Sequence, residues 1–463
     1  MGFHKGSLML PSPTLPASSA RPLAIEYVPL ASLTLDPENA RLHKPAQIKQ
    51  IARSIEAFQF NVPVLVDQDG KVLAGHGRVL ALQLLGRTEV PVIRLQHLTP
   101  EQARAFAIAD NRLTENSTWD EVLLGQHFKL LAGLDLSFDL ETTGFSMGEI
   151  DLKIEAMDLA GAEAPEEEEE PPPSSGPAVA KPGDLWVLGG HKLLCGDALT
   201  ATSYEALMGS DLAAMVITDP PYNVAIDGNV SNLMGGKAER KHREFAHASG
   251  EMTEAEFTEF LATACQRMAG VSADRSLHYI FMDWRHAQCL LAAGKVAYDE
   301  LINLCVWTKP SVGMGGLYRS AHELVLVFKH GKGPHRNNVQ LGKFGRDRTN
   351  VWAYPGAAAM RHGEEADLTA QHPTPKPVAL ISDAILDATQ RGDVVLDPFL
   401  GSGSTLIAAE KVGRVCRGME LDPLYVDLAI RRWRRLTGAE AVLASSGESF
   451  GDLEAAADLA LAA

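Results

Sequence analysis

The chain has 463 residues, 46% of them hydrophobic, 22% charged and 6% aromatic, which is enough for about three domain-sized units and excludes a small stapled module. No apolar run approaches the roughly 18 residues of a membrane span, and five scattered cysteines (Cys195, Cys265, Cys289, Cys305, Cys416) without CxxC spacing suggest neither a disulfide framework nor a metal cluster and fit a reducing, cytoplasmic setting. The 42 basic and 59 acidic residues give a net charge of −17, which argues against indiscriminate electrostatic binding to nucleic acid; basic clusters at Lys237 to Arg243, Lys329 to Arg348 and Arg431 to Arg435 still allow a local basic groove.

Residues 1–22 are rich in Pro, Ser and Ala and are expected to form a disordered tail. Their short apolar stretch Leu8-Met9-Leu10, broken by Pro11 and Pro13, is too brief for a secretory core. From Leu23 the pattern turns to short strands and helices. Asp69-Gly70 between Val62-Pro-Val-Leu-Val66 and Lys71-Val-Leu-Ala74 predicts a hairpin. Residues 120–160 read as helical, and Ser146 with Glu149 has the spacing of a capping box. These helices are expected to close a first domain spanning 23–160. Residues 161–183, with Glu166 to Glu170 followed by Pro171-Pro-Pro-Ser-Ser-Gly-Pro177, cannot bury apolar surface and read as a linker. From Asp184 to about Thr437, apolar strands alternate with helical patterns, which predicts a mostly parallel sheet covered by helices. An Ala-rich, acidic segment, 438–463, is expected to be peripheral.

Three strand-end motifs in the second domain carry chemistry, because ligands of open α/β sheets bind at the carboxyl ends of strands. Asp397-Pro-Phe399-Leu-Gly401-Ser402-Gly403-Ser-Thr405 follows Val394-Val-Leu396 and precedes a helical run; its glycines permit a tight turn and close approach to a ligand. Glu420 ends the next strand, where a carboxylate can accept both hydroxyls of a ribose. Thr218-Asp219-Pro220-Pro221-Tyr222 follows Ala214-Met-Val-Ile217. A glycine turn or a strand-ending Glu taken singly is commonplace. The Pro-Pro pair is not: it removes two backbone donors and fixes an extended turn that aims the Asp219 carboxylate and a proline carbonyl.

That turn suits methylation of an exocyclic amine on a nucleobase. The lone pair of such an amine is delocalised into the ring, so two acceptors, Asp219 and the Pro220 carbonyl, are needed to hold its hydrogens and aim the nitrogen. Tyr222 is expected to stack on a base flipped from the duplex. The implied donor is S-adenosylmethionine, with no metal required. A cytosine-C5 enzyme needs a Pro-Cys nucleophile, which the chain lacks.

Residues 184–437 resemble the circularly permuted β-type DNA amino-methyltransferases, in which the Asp-Pro-Pro-Tyr motif precedes the glycine-rich cofactor motif, as Asp219 precedes Gly401. Cys195-Gly-Asp197, Phe281-Met-Asp-Trp284, Val306-Trp-Thr-Lys309, Tyr318, His322-Glu323-Leu-Val-Leu-Val-Phe328 and His372-Pro-Thr-Pro-Lys376-Pro377 follow in the family's order. The resemblance implies a Rossmann-like fold. It implies cofactor binding by Asp197, Asp397, Phe399, Gly401, Ser402, Gly403, Thr405, Glu420 and Lys376, and a catalytic turn of Asp219, Pro220, Pro221 and Tyr222. Asp in the first motif position favours adenine N6 over cytosine N4. Target recognition is expected in Ala225 to Ser249 and Lys329 to Met360, with Lys343, Arg346 and Arg348 on DNA phosphates; a solvated charged loop is the alternative.

Residues 23 to about 120 resemble the N-terminal domain of ParB-type partition proteins, an α+β fold shared with sulfiredoxin. The matching residues are Val28-Pro-Leu30, Asp36-Pro37, Asn39, Gly75-His76-Gly77-Arg78-Val79-Leu80-Ala81 and Asp110-Asn111-Arg112. The box lacks the sulfiredoxin cysteine. Two readings stay open: an accessory DNA-contacting or dimerising module, or a module in which Gly75 and Arg78 bind a nucleotide phosphate.

Together these readings give a cytoplasmic, site-specific adenine-N6 DNA methyltransferase acting on double-stranded DNA, of the kind met in restriction-modification and phage settings, whose relatives often form homodimers. The alternatives are cytosine-N4 methylation, RNA as substrate, or a ParB-like regulator with an inactive methyltransferase scaffold.

Overall fold

The computed structural model describes residues 23–134, 136–161, 177–223, 250–309, 317–339, 347–354 and 376–462. The tail expected at 1–22, most of the linker and much of both recognition windows lie outside these residues. The chain divides into two compact units, one of residues up to 120 with 135–145, the other of 121–134 with 146–463.

The first unit runs β1 (Ile25–Pro29), α1 (Pro45–Phe58), β2 (Val64–Val66), β3 (Val72–Ala74), α2 (His76–Leu84), β4 (Glu89–Arg94) and α3 (Pro100–Glu115). Its sheet has the order β1-β4-β2-β3. The Asp-Gly hairpin forms as the sequence predicts: β2 and β3 pair antiparallel, Gly70 takes φ +85°, and Asp67 Oδ1 accepts from the Lys71 amide at 2.9 Å. Leu30, Val64, Val66, Val72, Val79, Leu82, Val90 and Val92 make the core.

The second unit begins with α4 (Glu121–Ala132) and α5 (Met147–Gly161). The capping box at the start of α5 is present, with the Glu149 carboxylate accepting from the Ser146 amide at 2.8 Å. The sequence reading groups these helices with the first domain, whereas their packing places them in the second unit. The reason is a charge: Asp151 of α5, its side chain 2% exposed, accepts from the fully buried Arg414 guanidinium at 2.7 Å and meets Arg391 at 3.2 Å. One acidic residue among several on a helix that also carries Glu149, Glu155 and Asp158 gives no sign of so distant a partner.

There follow β5 (Leu185–Leu188), β6 (His191–Cys195), α6 (Ala201–Met208), β7 (Ala213–Thr218), α7 (Glu254–Gly270), β8 (Ser272–Met282), α8 (Ala287–Ala297), β9 (Glu300–Thr308), β10 (His322–Lys329) and β11 (Val351–Ala353). The chain continues with α9 (Val378–Ala388), β12 (Val394–Asp397), α10 (Ser404–Lys411), β13 (Val415–Glu420), α11 (Pro423–Thr437), β14 (Val442–Leu443) and α12 (Phe450–Ala462). These strands form one sheet of order β11-β9-β10-β8-β7-β12-β13-β6-β5-β14. Its centre, from β8 to β6, is parallel throughout.

Side chains alternate across the strands. Met215, Ile217 and Val395 join the core under α9, α10 and α11, while Val216 and Leu396 join the core under α6, α7 and α8. Burial on both faces explains why these strands read as continuous apolar runs. The segment expected to be peripheral, 438–463, is an integral part of the unit. β14 pairs with β5, and the fully buried Phe450 packs edge-on to Trp186 at 5.3 Å between centroids.

Among the described residues no helix is long and apolar enough to cross a membrane.

Candidate active site

β7 continues to β8 on one side, and β12 continues to β13 on the other, so the strand order reverses between β7 and β12. Such a switch point leaves a crevice at the carboxyl edge. Acidic residues stand at the ends of all five parallel strands: Asp283 after β8, Asp219 after β7, Asp397 closing β12, Glu420 closing β13 and Asp197 after β6. The pocket at the crevice is lined by Thr218, Asp219, Phe281, Lys376, Ile381, Asp397, Phe399, Leu400, Ser402, Ser404 and Thr405.

The glycine loop wraps one wall. Gly403 takes φ +90°, and a Cβ there would lie 2.8 Å from the Ala429 Cβ on α11, so the residue must be glycine for both backbone and packing. Asp397 accepts from Thr218 Oγ1 at 2.7 Å, Thr405 Oγ1 at 2.6 Å and the Phe399 amide at 3.1 Å. Burial nevertheless pushes its carboxyl up to about 6, against the downward pull of those donors. Glu420 accepts from the amides of Gly401 at 2.8 Å and Asp422 at 2.9 Å; burial pushes it up to about 7. Asp197 caps the next turn, accepting from the Leu199 amide at 2.9 Å, and Gly196 donates to the Glu420 carbonyl at 2.9 Å. Two strand ends are thereby joined along the edge.

The opposite wall is a charged cluster. The two oxygens of Asp219 accept from the Tyr222 hydroxyl and the Lys376 ammonium. Lys376 also meets Glu323 of β10 at 3.2 Å. Glu323 in turn pairs with Lys309 and faces the Tyr222 hydroxyl at 3.3 Å. Asn223, with φ 55°, accepts from the amides of Gly250 at 3.1 Å and Met252 at 3.2 Å and donates to the Met252 carbonyl at 2.7 Å. It pins the chain leaving the Pro-Pro turn to the approach to α7.

The family models match "DNA methylase" (N6/N4) over residues 213–431 and "ParB-methyltransferase HTH domain" over 123–182. The chain is 46% identical over 80 residues to the ParB-like nuclease domain-containing protein YnaK of Escherichia coli strain K12, covering 92% of that protein and 17% of this chain. The chain joins a ParB-like domain to an N6/N4 DNA methylase domain. It is also 31% identical over 145 residues to the type II methyltransferase M2.MboI of Moraxella bovis, a match spanning 51% of that enzyme and 30% of this chain. Similar solved structures include PvuII DNA methyltransferase (cytosine-N4-specific), with TM-score 0.40 and 17% identity over 53% of this chain and 87% of that one. The M1.HpyAVI–SAM complex matches with TM-score 0.35 and 22% identity over 52% and 98%.

Within the methylase domain, Asp219, Asp397, Phe399, Ser402 and Thr405 come together at one pocket. Gly401, Gly403 and Glu420 shape the loop behind it, and Asp197 stands further along the edge. Lys376, grouped by sequence with the cofactor residues, lines the same pocket and there binds Asp219. Arg348 is held inside the domain, 2.8 Å from Asp383 and 2.7 Å from Asp387, with its side chain 15% exposed; Lys343 and Arg346 lie outside the described residues. The Arg431 to Arg435 cluster is likewise engaged internally: Arg431 and Arg434 reach Glu454, and Arg432 donates to Ser402. In the ParB-like domain, Arg78 folds back against Gly75 and donates to the Val62 carbonyl at 3.0 Å.

Sequence reading missed Asn223 and the roles of Glu323 and Lys309. Glu323 had one available signal, a charged residue opening the strongly apolar strand His322 to Phe328.

Proposed function

We propose that the chain transfers a methyl group from S-adenosylmethionine to the N6 of adenine in double-stranded DNA. The observation that supports it most is that Asp219, at the head of the Pro-Pro turn, lines one pocket at the sheet's switch point together with Asp397, Phe399, Ser402 and Thr405 of the glycine loop.

The pocket suits the cofactor. Ser404 Oγ is buried without a hydrogen-bond partner beside it, and Glu420 sits one strand away with its carboxylate steadied by two amides. Phe399, Leu400 and Ile381 add an apolar wall, Ser404 offers a hydroxyl, and Glu420 has lone pairs left for ribose. When bound, S-adenosylmethionine supplies a methyl already activated by its sulfonium.

The chain's own work is orientation. The Asp219 carboxylate and the Pro220 carbonyl accept the two hydrogens of the target amine and turn its nitrogen toward the cofactor wall. As the nitrogen gains a methyl it must lose one proton, and Asp219 is the adjacent acceptor. Tyr222 keeps its hydroxyl on Asp219, fixing the carboxylate plane while its ring flanks the base. The Asp in the first motif position supports adenine over cytosine. The ParB-like domain is read as a DNA-contacting or dimerising accessory.

Labelled methyl transfer to unmethylated duplex DNA, followed by digestion to nucleosides, tests this reading. Label in N6-methyladenine supports it, label in N4-methylcytosine overturns the base assignment, and absence of label in DNA overturns the activity.

A further inference from the structure

Lys376 has an unusual position for a lysine. Its side chain is 6% exposed, and the ammonium touches two carboxylates, Asp219 and Glu323. Three aromatic faces surround it, with centroids at 5.2 Å for Phe281, 5.7 Å for Tyr222 and 6.0 Å for Trp307. A buried ammonium held this way is costly unless its charge is used. Glu323 is in turn shared with Lys309, whose ammonium lies 4.4 Å from the Trp307 centroid. Two cations and two carboxylates thus alternate from the pocket lining backward in the order Asp219, Lys376, Glu323, Lys309.

Accepting a hydrogen from a neutral amine requires Asp219 to be ionised, because a protonated carboxyl offers a donor where an acceptor is needed. Its surroundings work against that. Desolvation raises the Asp219 carboxyl, and the nearby Glu323 adds to the rise, while Lys376 and the Tyr222 hydroxyl pull it down. Asp397, across the pocket, is a further negative neighbour, and Asp283 faces Tyr222. Lys376 is the one cation in direct contact with Asp219 among the described residues. The attraction of both carboxylates outweighs its burial and keeps it protonated.

Resting on the methyl-transfer reading above, we infer that Lys376 is a positioning residue of the reaction: it holds Asp219 as a carboxylate presented to the target amine, and Glu323 anchors it there. Glu323 also balances the ammonium, so that the pocket does not repel the positive charge that develops on the methylated nitrogen.

The test uses the full chain, with Lys376→Met and Glu323→Gln, and two readouts. The first is the pH profile of single-turnover methyl transfer to unmethylated duplex DNA, with S-adenosylmethionine affinity measured alongside by calorimetry. Removing the cation in Lys376→Met moves the acid limb to higher pH by about 1 to 3 units; removing the extra negative charge in Glu323→Gln moves it lower. Cofactor affinity changes less than about threefold in both. The second readout needs no substrate: the carboxyl carbon resonance of Asp219 in aspartate-labelled protein, assigned by its loss in Asp219→Asn, titrates higher in Lys376→Met than in the parent. An unmoved acid limb and an unmoved Asp219 titration in Lys376→Met overturn the inference, as does a large loss of cofactor affinity without either shift. If the parent chain transfers no methyl, the functional reading fails, while the carboxyl titration still decides the role of Lys376. If Lys376→Met does not fold, the same Asp219 carboxyl titration in Lys376→Gln, which removes the charge and keeps a polar side chain, decides it: a higher titration is expected and an unmoved one overturns the inference.

Discussion

Thr218, the last residue of β7, donates from Oγ1 to Asp397, the last residue of β12, at 2.7 Å. This bond closes the crevice between the two strands that diverge at the switch point, and it links the turn that presents Asp219 to the loop that carries Gly401 and Gly403. The two halves of the pocket are therefore joined by a side-chain bond in addition to the parallel pairing of Met215 with Val395 and Val216 with Leu396.

Gly403→Ala tests the loop geometry. The new methyl meets Ala429 at 2.8 Å and the residue must hold φ +90°, so strain and overpacking together cost about 2 to 4 kcal/mol. A lowered thermal midpoint and loss of cofactor heat in calorimetry are expected. Gly392→Ala, also at positive φ but with open space around it, is the control and costs about 1 kcal/mol.

Glu420 and Asp397 set a pH dependence of stability. Both are raised in the folded chain, to about 7 and about 6, above their ordinary values of 4.5 and 3.8. The folded state holds these protons more tightly than the unfolded one, so their contribution to stability is fully present at low pH and is lost as pH rises from about 4 to about 7. Glu420→Gln removes part of that slope in denaturant titrations across this window. It also weakens S-adenosylmethionine about 10- to 100-fold, the loss of a charged acceptor.

Asp151→Ala leaves the Arg414 guanidinium buried without its carboxylate partner. Breaking a buried pair from one side costs about 3 to 5 kcal/mol. The expected result is a large drop in the urea midpoint, with protease cleavage rising first around α5.

Arg348→Ala separates two roles for one residue. Its ion pairs with Asp383 and Asp387 predict a loss of stability. The slope of DNA affinity against salt concentration is expected to be unchanged, whereas a phosphate contact predicts a slope reduced by about one.

The fold of the second unit was legible because buried parallel strands are short apolar runs, and because each ends in a residue whose chemistry is conspicuous: Asp219 beside two prolines, Asp397 before two glycines, Glu420 closing a strand. The hairpin at Gly70 and the cap at Ser146 were legible for the same local reason. What sequence could not supply were partners far away in the chain. The pairing of Lys376 with Asp219 spans 157 positions and that of Asp151 with Arg414 spans 263. Nothing local in the sequence distinguishes a lysine beside a carboxylate from one beside a cofactor, or an arginine in an internal ion pair from one waiting for phosphate. The segment 438–463 was misjudged because its alanines read as surface, while Phe450, one of its anchors, sits opposite a Trp some 260 positions earlier.

The most direct test of the account is Asp219→Ala in single-turnover methyl transfer to unmethylated duplex DNA, with cofactor binding measured on the same protein. The account predicts that label in N6-methyladenine falls by at least about 100-fold, with S-adenosylmethionine affinity preserved. Transfer at the parent rate by Asp219→Ala would contradict it.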